Sequence, residues 1–122
     1  MDLVYKLKFI ERLESTKEEK SKGFYHSLAS NLYFTVFTYM QAFIGEPPQG
    51  KWRHGSIAKP FSKICYEKGI YNKQTLKEFT SNYEELYTFR VYADYKRYIF
   101  TEKDKNEIER LYKFFTEVFR YE

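Results

Sequence analysis

The sequence predicts an all-α fold, an up-and-down bundle of about five helices forming one domain over residues 1–122. Three observations support it. Apolar residues recur at steps of three and four through most of the chain, the period of a helix with one buried face. No stretch of any length alternates apolar and polar residues as a half-buried strand does. The strongest breaker cluster, Gly45-Glu46-Pro47-Pro48-Gln49-Gly50, separates two long helical patterns and marks the main loop.

The elements follow in order. Leu3, Leu7, Ile10 and Leu13 recur among charges, so the first helix is expected from about residue 2 to 21 with that stripe facing the core. The second, from about 24 to 44, is apolar on most faces (Leu32, Tyr33, Phe34, Val36, Phe37, Tyr39, Met40, Phe43, Ile44) and belongs at the centre of the bundle. A shorter third helix is expected to start near Ser56 or Lys59, with Pro60 in its first turn, and to stop at Gly69. Asn72 caps a fourth helix whose seam is Leu76, Phe79, Tyr83 and Leu86. Thr101, with Asp104 three residues on, opens the last helix, whose stripe is Ile108, Leu111, Tyr112, Phe115, Val118 and Phe119.

Composition narrows the function classes. At 122 residues there is room for one domain, and 43% hydrophobic with 31% charged residues describes a globular chain that can hold a core. The single Cys65 excludes an intramolecular disulfide, and with only His26 and His54 beside it no metal site or other cofactor is expected. The N-terminus lacks the apolar stretch of a secretory signal, and the uncharged run Ser27–Gly45 carries too many polar residues for a bilayer span. A cytoplasmic protein with no membrane association is therefore expected.

The charge is localised. Between Glu46 and Lys73 stand six basic residues (Lys51, Arg53, Lys59, Lys63, Lys68, Lys73) against two acidic ones, which is the whole net charge of +4. Lys51, Trp52, Arg53, Lys59 and Lys63 are the candidate nucleic-acid-binding residues, the lysines and arginine for phosphates and the indole for stacking. A solvated loop and helix face accounts for the same residues without function.

One position breaks the pattern. The next seam step after Leu86 is Arg90, and a guanidinium on an apolar seam needs a partner. Asp94, one turn later, is placed to supply it, either within the chain or across a dimer. Tyr95 follows.

These residues also carry a family resemblance. Arg90-Val91-Tyr92-Ala93-Asp94-Tyr95 resembles the Arg-x-x-Ala-Asp-Tyr signature of a small stand-alone group of HEPN domains. Leu32-Tyr33-Phe34-Thr35-Val36-Phe37 resembles the central-helix stretch of that group. His54-Gly55-Ser56-Ile57 with Phe61 resembles its His- and Gly-containing stretch after the long loop, with shifted spacing, and Gly69 the glycine closing its third helix. The matches run in order over residues 24–118.

The resemblance implies a helical domain that forms a homodimer and acts as a metal-independent ribonuclease of a toxin–antitoxin system, with a minimal nucleotidyltransferase as partner. Such domains usually carry Arg-x4-6-His. In that chemistry the RNA 2′-OH attacks the adjacent phosphate, a histidine takes the proton and the arginine holds the phosphate. Here Tyr95 occupies the histidine position, and tyrosine, with a reference pKa of about 10, is a poor base at neutral pH. The implied activity is accordingly impaired or altered. The candidate catalytic residues are Arg90, Asp94, Tyr95 and His54, the last supplying an imidazole from the loop. The alternative is a non-catalytic adaptor that dimerises and binds a partner protein, with Arg90 and Asp94 as an interface ion pair.

Overall fold

The computed structural model describes residues 1–121 as five helices: α1 (Leu3–Lys22), α2 (Tyr25–Ile44), α3 (His54–Glu67), α4 (Lys73–Tyr95) and α5 (Glu102–Val118). No strand occurs among the described residues, and none of their helices is long and apolar enough to cross a membrane. The fold is an all-α bundle, as the periodicity predicts.

Local chemistry sets the boundaries. Asp2 caps α1 by accepting from the Tyr5 amide at 3.2 Å, and Asn72 caps α4 by accepting from the Thr75 amide at 2.8 Å. Thr101 and Asp104 form a reciprocal capping box on α5, with bonds of 3.1 and 2.9 Å. Gly23, at φ 71°, ends α1 in the left-handed conformation that glycine adopts without penalty, so the chain reverses into α2 within two residues.

The α2 helix is the axis of the molecule and packs against every other helix. The Asp2 amide donates to the Ala42 carbonyl at 2.7 Å, so α1 and α2 run antiparallel. Successive helices reverse direction except across the Gly45–Arg53 loop, where the expected up-and-down order is corrected because that loop is long enough to carry the chain back to the start of α2. There α3 returns alongside α2 in the same sense, His54 meeting Tyr33 while Phe61 meets Tyr39 and Phe43. The core is aromatic. Phe9, Tyr39, Phe61, Phe79 and Phe115 are fully buried, with ring centroids 4.9 Å apart for Phe61–Phe79 and 5.2 Å for Phe79–Phe115. The buried Tyr39 hydroxyl lies 2.6 Å from that of Tyr71 and accepts from the Arg120 amide at 2.8 Å, tying the C-terminal segment to the central helix. Burial holds the Cys65 thiol up at about 12, so it is an inert core residue.

Two further expectations are corrected. The α3 helix starts at His54, earlier than Ser56 or Lys59, because the Ser56 hydroxyl accepts from the Arg53 amide at 3.0 Å and fixes the entry there. Pro60 consequently stands inside the helix, beyond its first turn. The buried face of α1 is Phe9, Leu13 and Thr16, whereas Leu3 is 68% exposed and Leu7 is also exposed. Two residues turn an α-helix by about 200°. Once Phe9 takes the core position, Leu7 points nearly opposite.

Glu19, on the flank of α1, accepts from the Asn31 amide with one oxygen, and its other oxygen has no partner among the described residues. Burial raises its carboxyl above the ordinary range, against the lowering effect of Asn31. A carboxyl raised in the folded state costs stability at neutral pH, and that cost fades as pH falls through the folded value toward the unfolded one of about 4.3. Glu19→Gln is therefore expected to raise the urea midpoint at pH 7, the advantage over wild type closing by about pH 4. An equal midpoint at pH 7, or a gap that persists in acid, would refute this.

Candidate functional site

Arg90 lies where the seam of α4 leaves the core, and its side chain is only 16% exposed. Its guanidinium sits 5.0 Å from the ring centroid of Phe34, 5.0 Å from that of Tyr95 and 5.6 Å from that of Tyr33. Asp94 pairs with it inside the same chain, Oδ2 standing 3.3 Å from Nε. That approach lies off the hydrogen-bonding line, and Nε has no better acceptor among the described residues. The Ser30 hydroxyl on α2 donates to Asp94 at 3.0 Å and fixes the carboxylate. The Nη2 group reaches the Tyr95 hydroxyl at 3.5 Å, a long and weak contact. The guanidinium is thus oriented by one carboxylate and three rings, and its Nη1 donors make no hydrogen bond among the described residues.

His54 is the first residue of α3, in a helix rather than in the preceding loop. Its ring stacks on Tyr87 at 3.8 Å and on Tyr83 at 4.5 Å between centroids. Nδ1 is 3.0 Å from the Tyr33 hydroxyl and Nε2 is 2.9 Å from Glu84. The Tyr33 hydroxyl is 3.1 Å from that of Tyr83, which donates to the His54 carbonyl at 3.3 Å. Burial raises the pKa of both tyrosines, so they serve as neutral hydroxyls. In the neutral imidazole a carboxylate on Nε2 selects the Nε2–H tautomer, and Nδ1 then accepts from Tyr33.

Tyr33 links the two groups. The His54 ring centroid lies 5.7 Å from its ring and the Arg90 guanidinium 5.6 Å, so an imidazole and a guanidinium share one tyrosine as neighbour. The sequence reading singles out Arg90, Asp94, Tyr95 and His54 but misses Ser30, Glu84 and Tyr87, and takes Tyr33 only as a family match. Glu84, Tyr87, Arg90 and Asp94 follow one another by three, three and four residues, and that polar stripe beside the apolar seam was the available signal.

The basic residues form a separate group. Lys51, Arg53, Lys59 and Lys63 are exposed, and none bonds to Arg90, Asp94 or Tyr95. Trp52 is half-buried against the core and donates its indole N–H to the Gly45 carbonyl at 2.6 Å, closing the loop on itself. His26 is structural: its Nε2 lies 2.8 Å from the Tyr98 carbonyl and its ring stacks on Phe100 at 4.5 Å, anchoring the α4–α5 connection to α2. Comparison with protein-family models, with curated proteins and with solved structures gives no match to this chain.

Proposed function

We propose that the chain is a HEPN-like protein that binds RNA or a nucleotide at the Arg90 face, and that His54 and Arg90 together support metal-independent RNA cleavage. The carrying observation is that His54 and Arg90 both lie beside Tyr33, 5.7 and 5.6 Å from its ring centroid. It supplies an imidazole and a phosphate-binding fork on one face although Tyr95 replaces the motif histidine. Arg90 would hold the phosphate through its open Nη1 donors, with Asp94 and Ser30 fixing its orientation.

The acid–base part needs a free ring nitrogen. Glu84 is 58% exposed, so it can rotate off Nε2 while the ring takes the other tautomer and donates from Nδ1 to the Tyr33 oxygen. The Nε2 lone pair then faces solvent and accepts the proton of a 2′-OH. That oxygen bonds to phosphorus, the bond to the 5′ oxygen breaks, the departing oxygen takes a proton from solvent water, and the imidazolium returns its proton to solvent.

The test is incubation of purified protein with labelled RNA in EDTA. Wild type is expected to cleave, with Arg90→Ala losing retention and cleavage together and Arg90→Lys recovering only part, because an ammonium lacks the planar fork. No cleavage by wild type, or equal cleavage by Arg90→Ala, sinks the nuclease reading. The adaptor reading is favoured by a different observation, the exposed Tyr92, Tyr95, Tyr98 and 84%-exposed Ile99 beside the site. It stands if Arg90→Ala instead shifts a dimer in sedimentation.

A further inference from the structure

The α3 and α4 helices both lean on α2 and leave an open groove of about 630 Å³ between them, away from the Arg90 cradle. Its exposed surface is mostly carbon, with Tyr66 and the largely buried Leu76 as its two apolar side chains and Ser62, Thr80 and Ser81 beside them; the Lys73 ammonium lies 5.4 Å from the Tyr66 ring centroid. Lys63, Lys73 and Lys77 line it, and none of the three forms an ion pair among the described residues. Glu84 closes the far end. From Lys73 to Glu84 the α4 wall is about 16 Å long at 1.5 Å per residue, or three helical turns.

The charges are arranged at a cost to the free protein. Lys73 and Lys77 stand four apart on one helix face, a spacing at which like charges repel. Lys73 is also the first residue of α4, at the positive end of the helix dipole, where a cation is unfavourable and no acidic residue offsets it. Lysines on other faces pair with carboxylates three or four residues away, as in Glu14–Lys17, Glu18–Lys22 and Glu102–Lys105, whereas Lys73 and Lys77 have no carboxylate at either spacing. An anionic partner in the groove would relieve both strains and cover the apolar floor.

We propose that the α3–α4 groove docks an acidic amphipathic helical segment of a partner protein. Its apolar stripe would lie on Tyr66 and Leu76, its carboxylates over Lys63, Lys73 and Lys77, and a cation near Glu84. This occupant fits better than a nucleic-acid strand for three reasons. Beyond the first turn of α4 the walls are helix interiors whose backbone N–H groups are already bonded, and in that first turn the Asn72 side chain takes the Thr75 N–H, so most of the groove offers no phosphate cradle. The cations are lysines without the bidentate fork. A uniformly negative backbone following the groove would run into Glu84, whereas a segment of mixed charge matches both ends. The groove meets the site proposed for RNA only at Glu84, whose carboxylate also reaches His54 Nε2, and it includes none of Arg90, Asp94 and Tyr95.

The probe is a labelled synthetic helix of about four turns, with leucines along one stripe, glutamates flanking it and one terminal lysine. A scrambled peptide of the same composition serves as control. Fluorescence anisotropy is expected to show saturable binding by the first peptide, weakened by salt and at least about tenfold tighter than for the scrambled one. The K63E/K73E/K77E variant, its fold checked by circular dichroism, is expected to lose about tenfold or more, and a peptide with glutamates exchanged for lysines should recover binding to that variant. Arg90→Ala should leave peptide affinity unchanged, which separates this result from the fate of the RNA reading. The proposal is overturned by absence of saturable binding, by equal binding of the scrambled peptide, or by an unaffected triple variant. It is equally overturned if a single-stranded RNA displaces the peptide and itself loses affinity in the triple variant, which would make the groove a nucleic-acid site.

Discussion

His54→Ala is expected to lower metal-independent RNA cleavage by about 10²- to 10⁴-fold, the usual contribution of a positioned acid–base group, while RNA retention changes far less. The separation follows from the geometry. Arg90 keeps its carboxylate and the faces of Phe34 and Tyr95 when the imidazole is removed, because none of these touches His54, and Tyr33, which does touch it, is still held by the Tyr83 hydroxyl at 3.1 Å. Tyr33→Phe provides an independent check. It preserves the ring beside both groups and deletes only the hydroxyl that stands 3.0 Å from Nδ1. An intermediate loss of cleavage, with a changed pH profile, is expected from that variant. If His54→Ala cleaves as wild type does, His54 is a packing residue and the acid–base assignment fails.

Phe79→Ala should destabilise the fold by about 3–5 kcal/mol, the range for deleting a buried aromatic ring. Phe79 on α4 touches Phe61 of α3, Tyr39 of α2, Phe115 of α5 and Tyr71 of the α3–α4 connection. Its removal leaves a void bounded by elements that cannot all move inward, because each is also held elsewhere. A domain of this size has roughly 5–15 kcal/mol of stability, so the variant would lose a large share of it. Urea unfolding at 25 °C is the measurement. The midpoint should fall with little change in slope, as for a loss of native packing without a change in the surface exposed. A loss below about 1 kcal/mol would mean that the site collapses and that Phe79 is not the hub its contacts describe.

The sequence makes the helices legible because their signals are local. Asn72, Thr101 and the seam from Leu76 to Leu86 all act through residues three or four apart, and the structure uses each as expected. The orientation of α1 is not local. Of the expected stripe Leu3, Leu7, Ile10 and Leu13, Leu13 is buried and Ile10 packs partly against the core, but Leu3 and Leu7 are exposed while Phe9 and Thr16 are covered, because the partner helix decides how the face is turned. The start of α3 is misplaced because Pro60 suggests a first turn, while the Arg53–Ser56 contact that opens the helix involves no typical capping pair.

The candidate site divides in the same way. Arg90 stands out as a charge on an apolar seam, and Asp94 follows from helical spacing, so both are readable in one dimension. Glu84 and Tyr33 gain their roles only when α2, α3 and α4 converge on His54, across 21 residues in one case and 30 in the other. Trp52 shows the reverse error. Its neighbours Lys51 and Arg53 suggest a stacking platform, but the ring packs inward and its N–H closes the loop.

The central position of α2 bears on how the molecule comes apart. In a layered fold a peripheral helix can detach and leave the remaining layers sealed. Here each outer helix covers a different side of one apolar rod, so lifting any of them wets residues such as Leu32, Val36 and Tyr39 that the others also rely on. Partial opening is therefore penalised almost as heavily as complete opening. The bundle is built to unfold as a single cooperative unit.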